Sequence, residues 1–164
     1  MSRMYAVPFS GTITAAGTDT DIWSIQPAAN RSVNLRGFTL GQTSEIGDAM
    51  EEGVRITVRR MPATFTVGTG GSLVTAVATP GSSLDAVWGA VVRTNDTAVS
   101  TTSGTAQIIE EFGWNLRNSP YEHWYPDERF CPGAFNGQGL IVRLETTLAD
   151  DISFTGTLWF QEEG

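Results

Sequence analysis

The chain is 164 residues long, with 18 glycines, one cysteine and a formal charge of −8, and all 10 of its basic residues are arginine. That length suits a single domain able to bury roughly 70% of its unfolded surface without a staple. The acidity argues against free-standing nucleic-acid binding, which needs a basic face, and leaves room only for a local arginine patch; no apolar run is long enough to span a membrane, and one cysteine excludes an internal disulfide.

Met1-Ser2-Arg3 leads straight into strand-like sequence, so the expectation is no secretory signal and synthesis in a cytoplasm. "MYAVPFSGTIT", "DIWSIQPA" and "SVNLRGFTLGQ" follow, rich in β-branched and aromatic residues and separated by Gly, Asp, Asn and Pro. In the third, the apolar phase slips from Val33 and Leu35 to Phe38 and Leu40, which predicts a bulge at Arg36-Gly37. "SEIGDAMEEG" (44–53) is interrupted by Gly47 and reads as a structured loop or one helical turn. "GVRITVRRM" (53–61) alternates Val54, Ile56 and Val58 with Arg55, Thr57 and Arg59, the period of a half-buried strand.

The segment 66–83, Gly, Ser, Thr and Ala with little to bury, is expected to form a long exposed loop. "DAVWGAVVRTN" and "AQIIEEFGWNLR" add two strands. Residues 118–137 read as a long structured connection, punctuated by Pro120, Pro126 and Pro132, anchored by Trp124, Tyr125 and Phe130, and capped or bridged by Asp127, Glu128 and Arg129. "LIVRLETTL" and "ISFTGTLWF" both alternate, and the short "ADD" between them predicts a hairpin. The acidic tail Gln161-Glu162-Glu163-Gly164 is expected to lie exposed. About eight to ten strands without intervening helices indicate one all-β domain over 1–164, an antiparallel sandwich of the jelly-roll kind.

The densest chemistry lies in "SPYEHWYPDERFCPG" (119–133), which holds the only histidine and the only cysteine. His123, Glu122, Asp127, Glu128 and Cys131 could in principle ligate zinc, but no paired-ligand spacing is present. Cys131 with His123 could form a nucleophile and base; its place between Phe130 and Pro132 instead suits a small buried hydrophobe. Glu110 with Glu111, and Asp150 with Asp151, are adjacent carboxylates whose side chains diverge on a strand, so neither pair can converge on one glycosidic bond. "GTGG" (68–71) lacks the Lys-Ser/Thr of a phosphate loop. No cofactor or metal is expected. Trp23, Trp88, Trp114, Trp124 and Trp159 could form a sugar-stacking platform; alternatively Trp88 and Trp114 fill a core and Trp159 covers an interface.

The stretches "RGFTLGQTSEIGDAMEEGVRITVRR", "GTGGSLVTAVATPGSS", "EEFGWNLRNSPYEHWYPDERF" and "ISFTGTLWFQEEG" resemble, in order from Tyr5 to Gly164, a family of small all-β virion proteins of tailed phages that act as head decoration or cement proteins. The likeness is strongest at Gly41 to Arg60, at Trp114 to Arg117 with Pro126 to Arg129, and at Gly156 to Gly164; Cys131 and the extra rings of "YEHWYP" depart from the pattern. The resemblance identifies no site residue. It implies a non-enzymatic protein made in the host cytoplasm that binds the major capsid protein on the outer head surface, without direct contact to nucleic acid or membrane. A homotrimer is the expected assembly. Trp88, Trp124, Tyr125, Trp159 and Arg129 are the expected interface residues, arginine being suited to bidentate carboxylate contacts. A carbohydrate-binding β-sandwich is the alternative.

Overall fold

The computed structural model describes residues 3–15, 19–44, 52–79, 89–118 and 120–163. The alternating stretches become strands β1 (Arg3–Ile13), β2 (Thr20–Gln26), β3 (Ser32–Gln42) and β4 (Gly53–Met61). An insertion follows with β5 (Phe65–Thr66), β6 (Ser72–Leu73), β7 (Val77–Ala78), β8 (Val91–Asp96) and β9 (Thr101–Thr102). The chain ends with β10 (Gln107–Asn115), β11 (Tyr121–Trp124), a 3-10 turn at Glu128–Phe130, β12 (Gly133–Phe135), β13 (Gly139–Leu144) and β14 (Ile152–Glu163).

Two antiparallel sheets result. Sheet A has the order β11-β3-β14-β1-β7, with β12 also on β3; sheet B has the order β10-β4-β13-β2-β8-β6, and β5 pairs β9 apart from both. Outside the insertion, β1 pairs β14, β2 pairs β13, β3 pairs β11 and β12, and β4 pairs β10. First with last, second with next to last, and so inward: this is one long antiparallel ribbon rolled on itself, the jelly-roll arrangement expected from the sequence. Inward residues of both sheets, among them Val7, Phe9, Trp23, Leu35, Phe38, Ile56, Val142, Phe154 and Phe160, meet in one buried core. The predicted bulge is present: Trp159 opposes Gly37 and Phe160 opposes Leu35, leaving Arg36 as the extra residue.

Four expectations are corrected. β13 and β14 do not form a hairpin, because β13 lies between β2 and β4 in sheet B and β14 between β1 and β3 in sheet A. Both strands are therefore central, and the short link between them crosses from one sheet to the other. The segment 66–83 is not a free loop: Thr66 pairs β9, Ser72 and Leu73 pair β8, and Val77 and Ala78 pair β1, while 80–83 lie outside the described residues. Small side chains say little, but backbone N–H and C=O groups still find partners at open strand edges. Residues 118–137 are likewise two edge strands on β3 with the 3-10 turn between them. Of the tail, Gln161 to Glu163 are not exposed, while Gly164 lies outside the described residues; β14 runs to Glu163, and the buried Glu162 carboxylate accepts from the Gly89 N–H (3.0 Å) and Ala90 N–H (3.1 Å) and pairs with Arg31 (2.5 Å). The turn expected at 44–53 lies mostly outside the described residues.

Candidate functional site

The stretch around His123 is a clamp between the two sheets. Tyr121 and His123 on β11 point inward, towards Glu110 and Phe112 on β10. The Phe112 and Tyr121 rings stack with centroids 4.1 Å apart and planes within 5°. His123 Nε2 lies 3.3 Å from Glu110 Oε2, and the Tyr125 hydroxyl donates to that same oxygen at 2.6 Å. Burial, then the hydrogen bond to Glu110 and its negative charge, push the Tyr125 phenol well above its ordinary range; burial and Glu110 push Tyr121 the same way. Neutral phenols are thereby kept as donors and packing rings. Cys131 is half-buried, its Sγ within reach of Arg36 Nη1 (3.4 Å) and the Asp127 carbonyl (3.5 Å). Among the described residues no three His, Cys, Asp or Glu side chains gather as a metal site. Phe130, expected as an anchor, is instead largely exposed; Glu110 and Glu111 diverge as expected, Glu111 reaching Arg55 on the outer side of sheet B.

That outer side of sheet B is an ionic lattice under a cover. Arg55 bridges Glu111 (2.5 Å) and Glu145 (2.6 Å), and Glu145 also pairs with Arg59 and accepts from Thr57. Deeper in, Arg143 pairs with the fully buried Asp21 at 2.6 Å, and the Ser100 N–H donates to Asp21 at 2.7 Å. Arg93 holds Asp96, whose hydrogen bonds raise the Arg93 pKa. Met61, Phe65 and Ile141 form a second apolar cluster there, with Val67 and Ala106 against it, so the insertion roofs this side. The Phe65 ring packs where a side chain on Gly139 would stand. A shallow open depression of about 490 Å³ beside it is lined by Gln26, Thr64, Phe65, Asn136 and Gln138 among others, amides and hydroxyls without an acid or base.

The outer side of sheet A is different in kind. Register aligns Trp124, Gly37, Trp159, Ala6 and Val77 in one row across β11, β3, β14, β1 and β7. The next rows are Glu122, Thr39, Thr157 and Pro8, then Gly41, Thr155 and Ser10. Glu122 is the one charged residue in these three rows. The two indole rings meet at 4.6 Å over Gly37, where a side chain would collide with the Trp124 ring and the His123 carbonyl. Trp124 is 51% and Val77 59% exposed. Four strand spacings of ~4.8 Å make the row about 19 Å long.

Trp124 and Trp159 are thus brought together, as no sequence spacing announced, and Gly37, Ala6 and Val77 complete the row; only register could have found them. Arg129 is exposed and held by Asp127, which its guanidinium keeps below the usual carboxylate range. Tyr125, expected at an interface, is buried within the chain's own clamp and offers no surface. Trp88 lies outside the described residues. Trp23 and Trp114 are core residues and so drop out of any sugar platform. No described helix is long and apolar enough to cross a membrane.

No family model and no curated protein matches the chain. Among solved structures it is similar to a mutant VP2 protein of infectious bursal disease virus in derived T=1 particles, with 14% identity over 98% of this chain and 40% of that one, at a TM-score of 0.24. It is also similar to the structure of the Gx strain of that virus (14%, 98% and 42%, TM-score 0.21) and to a crystal structure of its viral particle (15%, 98% and 39%, TM-score 0.21). The chain spans about two fifths of the length of these neighbours.

Proposed function

We propose that the chain is a non-enzymatic virion protein of a tailed phage, a head decoration protein that binds the major capsid protein on the outer lattice through the outer side of sheet A. The observation that carries this reading is the row Trp124, Gly37, Trp159, Ala6 and Val77, next to two rows in which Glu122 is the one charged residue. A half-exposed tryptophan pair on a rigid sheet can be buried by a partner at little entropic cost, and charge depletion with aromatic enrichment marks interface centres. The family resemblance of the sequence points the same way. The test is titration of the purified chain onto isolated phage heads lacking it. Saturable binding that Trp124→Ala and Val77→Lys each weaken supports the reading; no binding, or binding indifferent to both, overturns it.

A second reading has one observation in its favour. Glu122 and Trp124 share the outer side of β11 beside the Thr39 and Thr157 hydroxyls, a ring with neighbouring hydrogen-bonding groups of the sort that holds a sugar. Glycan binding lost in Trp124→Ala, with no binding to heads, would select it.

A further inference from the structure

Asn136-Gly137 is the single Asn-Gly pair of the chain; Asn30, Asn34, Asn95, Asn115 and Asn118 precede Arg, Leu, Asp, Leu and Ser. The pair forms the tip of the turn that joins β12 to β13. The Gln138 N–H donates to the Phe135 carbonyl at 2.9 Å, Gly137 takes a φ of +80°, and Gln138 Oε1 accepts from the Phe135 N–H at 3.1 Å. A positive φ at the second central residue alone is the mark of a type II turn. Asn136 and Gly137 are both exposed. Among the described residues neither the Asn136 carboxamide nor the Gly137 N–H has a hydrogen-bond partner. Other asparagines are held: Asn95 Nδ2 donates to the Thr12 carbonyl at 3.2 Å, and Asn115 Oδ1 accepts from the Arg117 N–H at 3.0 Å.

We propose that Asn136 is a self-modifying site, deamidated by the chain's own backbone with water as the one co-reactant. The Gly137 nitrogen, losing its proton to solvent, attacks Asn136 Cγ; the new bond closes a five-membered imide, and the side-chain nitrogen leaves as ammonia. Glycine leaves this approach open because it carries no β-carbon to crowd the nitrogen. Water then opens the imide at one of its two carbonyls. Breaking the bond from nitrogen to Cγ gives aspartate, whereas breaking the bond from nitrogen to the α-carbonyl gives isoaspartate, in which the backbone runs through the side chain and is one methylene longer. Either product puts a carboxylate into a depression whose lining holds none. Isoaspartate also lengthens the turn that the Gln138–Phe135 hydrogen bond closes. The consequence is felt on β5, because the Phe65 N–H donates to the Gly137 carbonyl at 3.1 Å and the Phe65 ring packs with Met61 and Ile141 against sheet B. Modification therefore loosens the insertion at Phe65 and leaves the outer side of sheet A, and whatever it binds, as it was.

The test is peptide mapping of the full chain after incubation at neutral and at mildly alkaline pH, beside a sample kept unfolded in guanidinium chloride. Cleavage at arginine isolates residues 130–143, in which Asn136 is the one asparagine. In the folded chain this peptide should gain the mass of an amide turned into an acid and split into two forms, of which isoaspartyl methyltransferase labels one. It should convert several times faster than any other asparagine-bearing peptide, and faster at the higher pH because the attacking nitrogen must lose its proton. In the modified chain, amide exchange at Phe65 should quicken about three- to tenfold, as the loss of one hydrogen bond implies. Asn136→Gln, which would have to close a six-membered ring, should keep both the peptide mass and the Phe65 exchange unchanged over the same incubation. Conversion of the 130–143 peptide only in the unfolded sample, conversion spread evenly over the asparagines, or Phe65 exchange that is the same in modified and unmodified chains overturns the inference.

Discussion

The two outer sides of the roll are made from strands of the same kind, yet they bury different chemistry. On sheet B, arginines and carboxylates from β10, β4, β13, β2 and β8 pair with one another, Arg143 with Asp21 and Arg93 with Asp96 in buried positions and Arg55 with Glu111 in the open. On sheet A, the matching positions are threonine, serine, glycine and a tryptophan pair, and among the described residues no second layer is built over them. A side whose charges are internally paired has little left to offer a partner; a neutral, aromatic and open side does. The place to look for function is therefore decided by what each side has already satisfied.

Changes on the two sides should differ most where burial differs most. Asp21→Ala leaves the Arg143 guanidinium buried without its counter-charge and should cost about 3–5 kcal/mol in chemical denaturation. Thr155→Ala, exposed on sheet A, should stay within about 0.5 kcal/mol. Similar costs for the two would break the comparison.

The strand glycines sharpen it. Gly139→Ala drives a methyl group into the buried Phe65 ring and should cost about 1–3 kcal/mol, with the roof loosened and hydrogen exchange faster in β5 and β9. Gly37→Ala meets the Trp124 ring and also the His123 backbone carbonyl, 2.7 Å from where the methyl would stand, so β11 must shift on β3 as well as the ring. Its signature should be in tryptophan fluorescence as the indole pair parts, with hydrogen exchange faster in β11 and the roof over sheet B unchanged.

The long strands were legible because one face of each meets a single core, so period two survives along Val54, Ile56 and Val58 and along Ile152, Phe154, Leu158 and Phe160. Even the bulge at Arg36 showed as a phase slip. Which sheet a strand joins was not legible: β13 and β14 are close in sequence and alternate alike, and only long-range pairing separates them. The short edge strands β6, β7, β11 and β12 have too few residues for any period and exist because an edge needed partners. Glu162 misled for a similar reason, since its charge is answered by two N–H groups and Arg31 from far along the chain. The tryptophan row was invisible because it is a property of register across five strands.

The clamp between β10 and β11 should answer to alkaline pH. The Tyr125 phenol is neutral in the fold and its pKa is raised, so the folded chain holds its proton more tightly than the unfolded one. Stability from this group is full below the ordinary phenol value of about 10 and falls as pH climbs past it, by up to ~1.4 kcal/mol per pH unit. Tyr125→Phe should flatten that alkaline slope while losing the hydrogen bond to Glu110 at all pH values. An unchanged slope would place the alkaline weakness elsewhere.

The smallest effect on stability should accompany the largest on binding. Trp124 is half-exposed and rests on Trp159, so Trp124→Ala removes one ring contact worth about 0.5–1.5 kcal/mol and leaves the core intact. If the outer side of sheet A is the docking surface, the same change should lower affinity for heads by tenfold or more, since a buried tryptophan at an interface centre typically carries ≥2 kcal/mol. The two measurements separate what a residue does for the fold from what it does for a partner. On sheet B they should move together, because Asp21 and Phe65 serve only the fold; on sheet A they should come apart at Trp124.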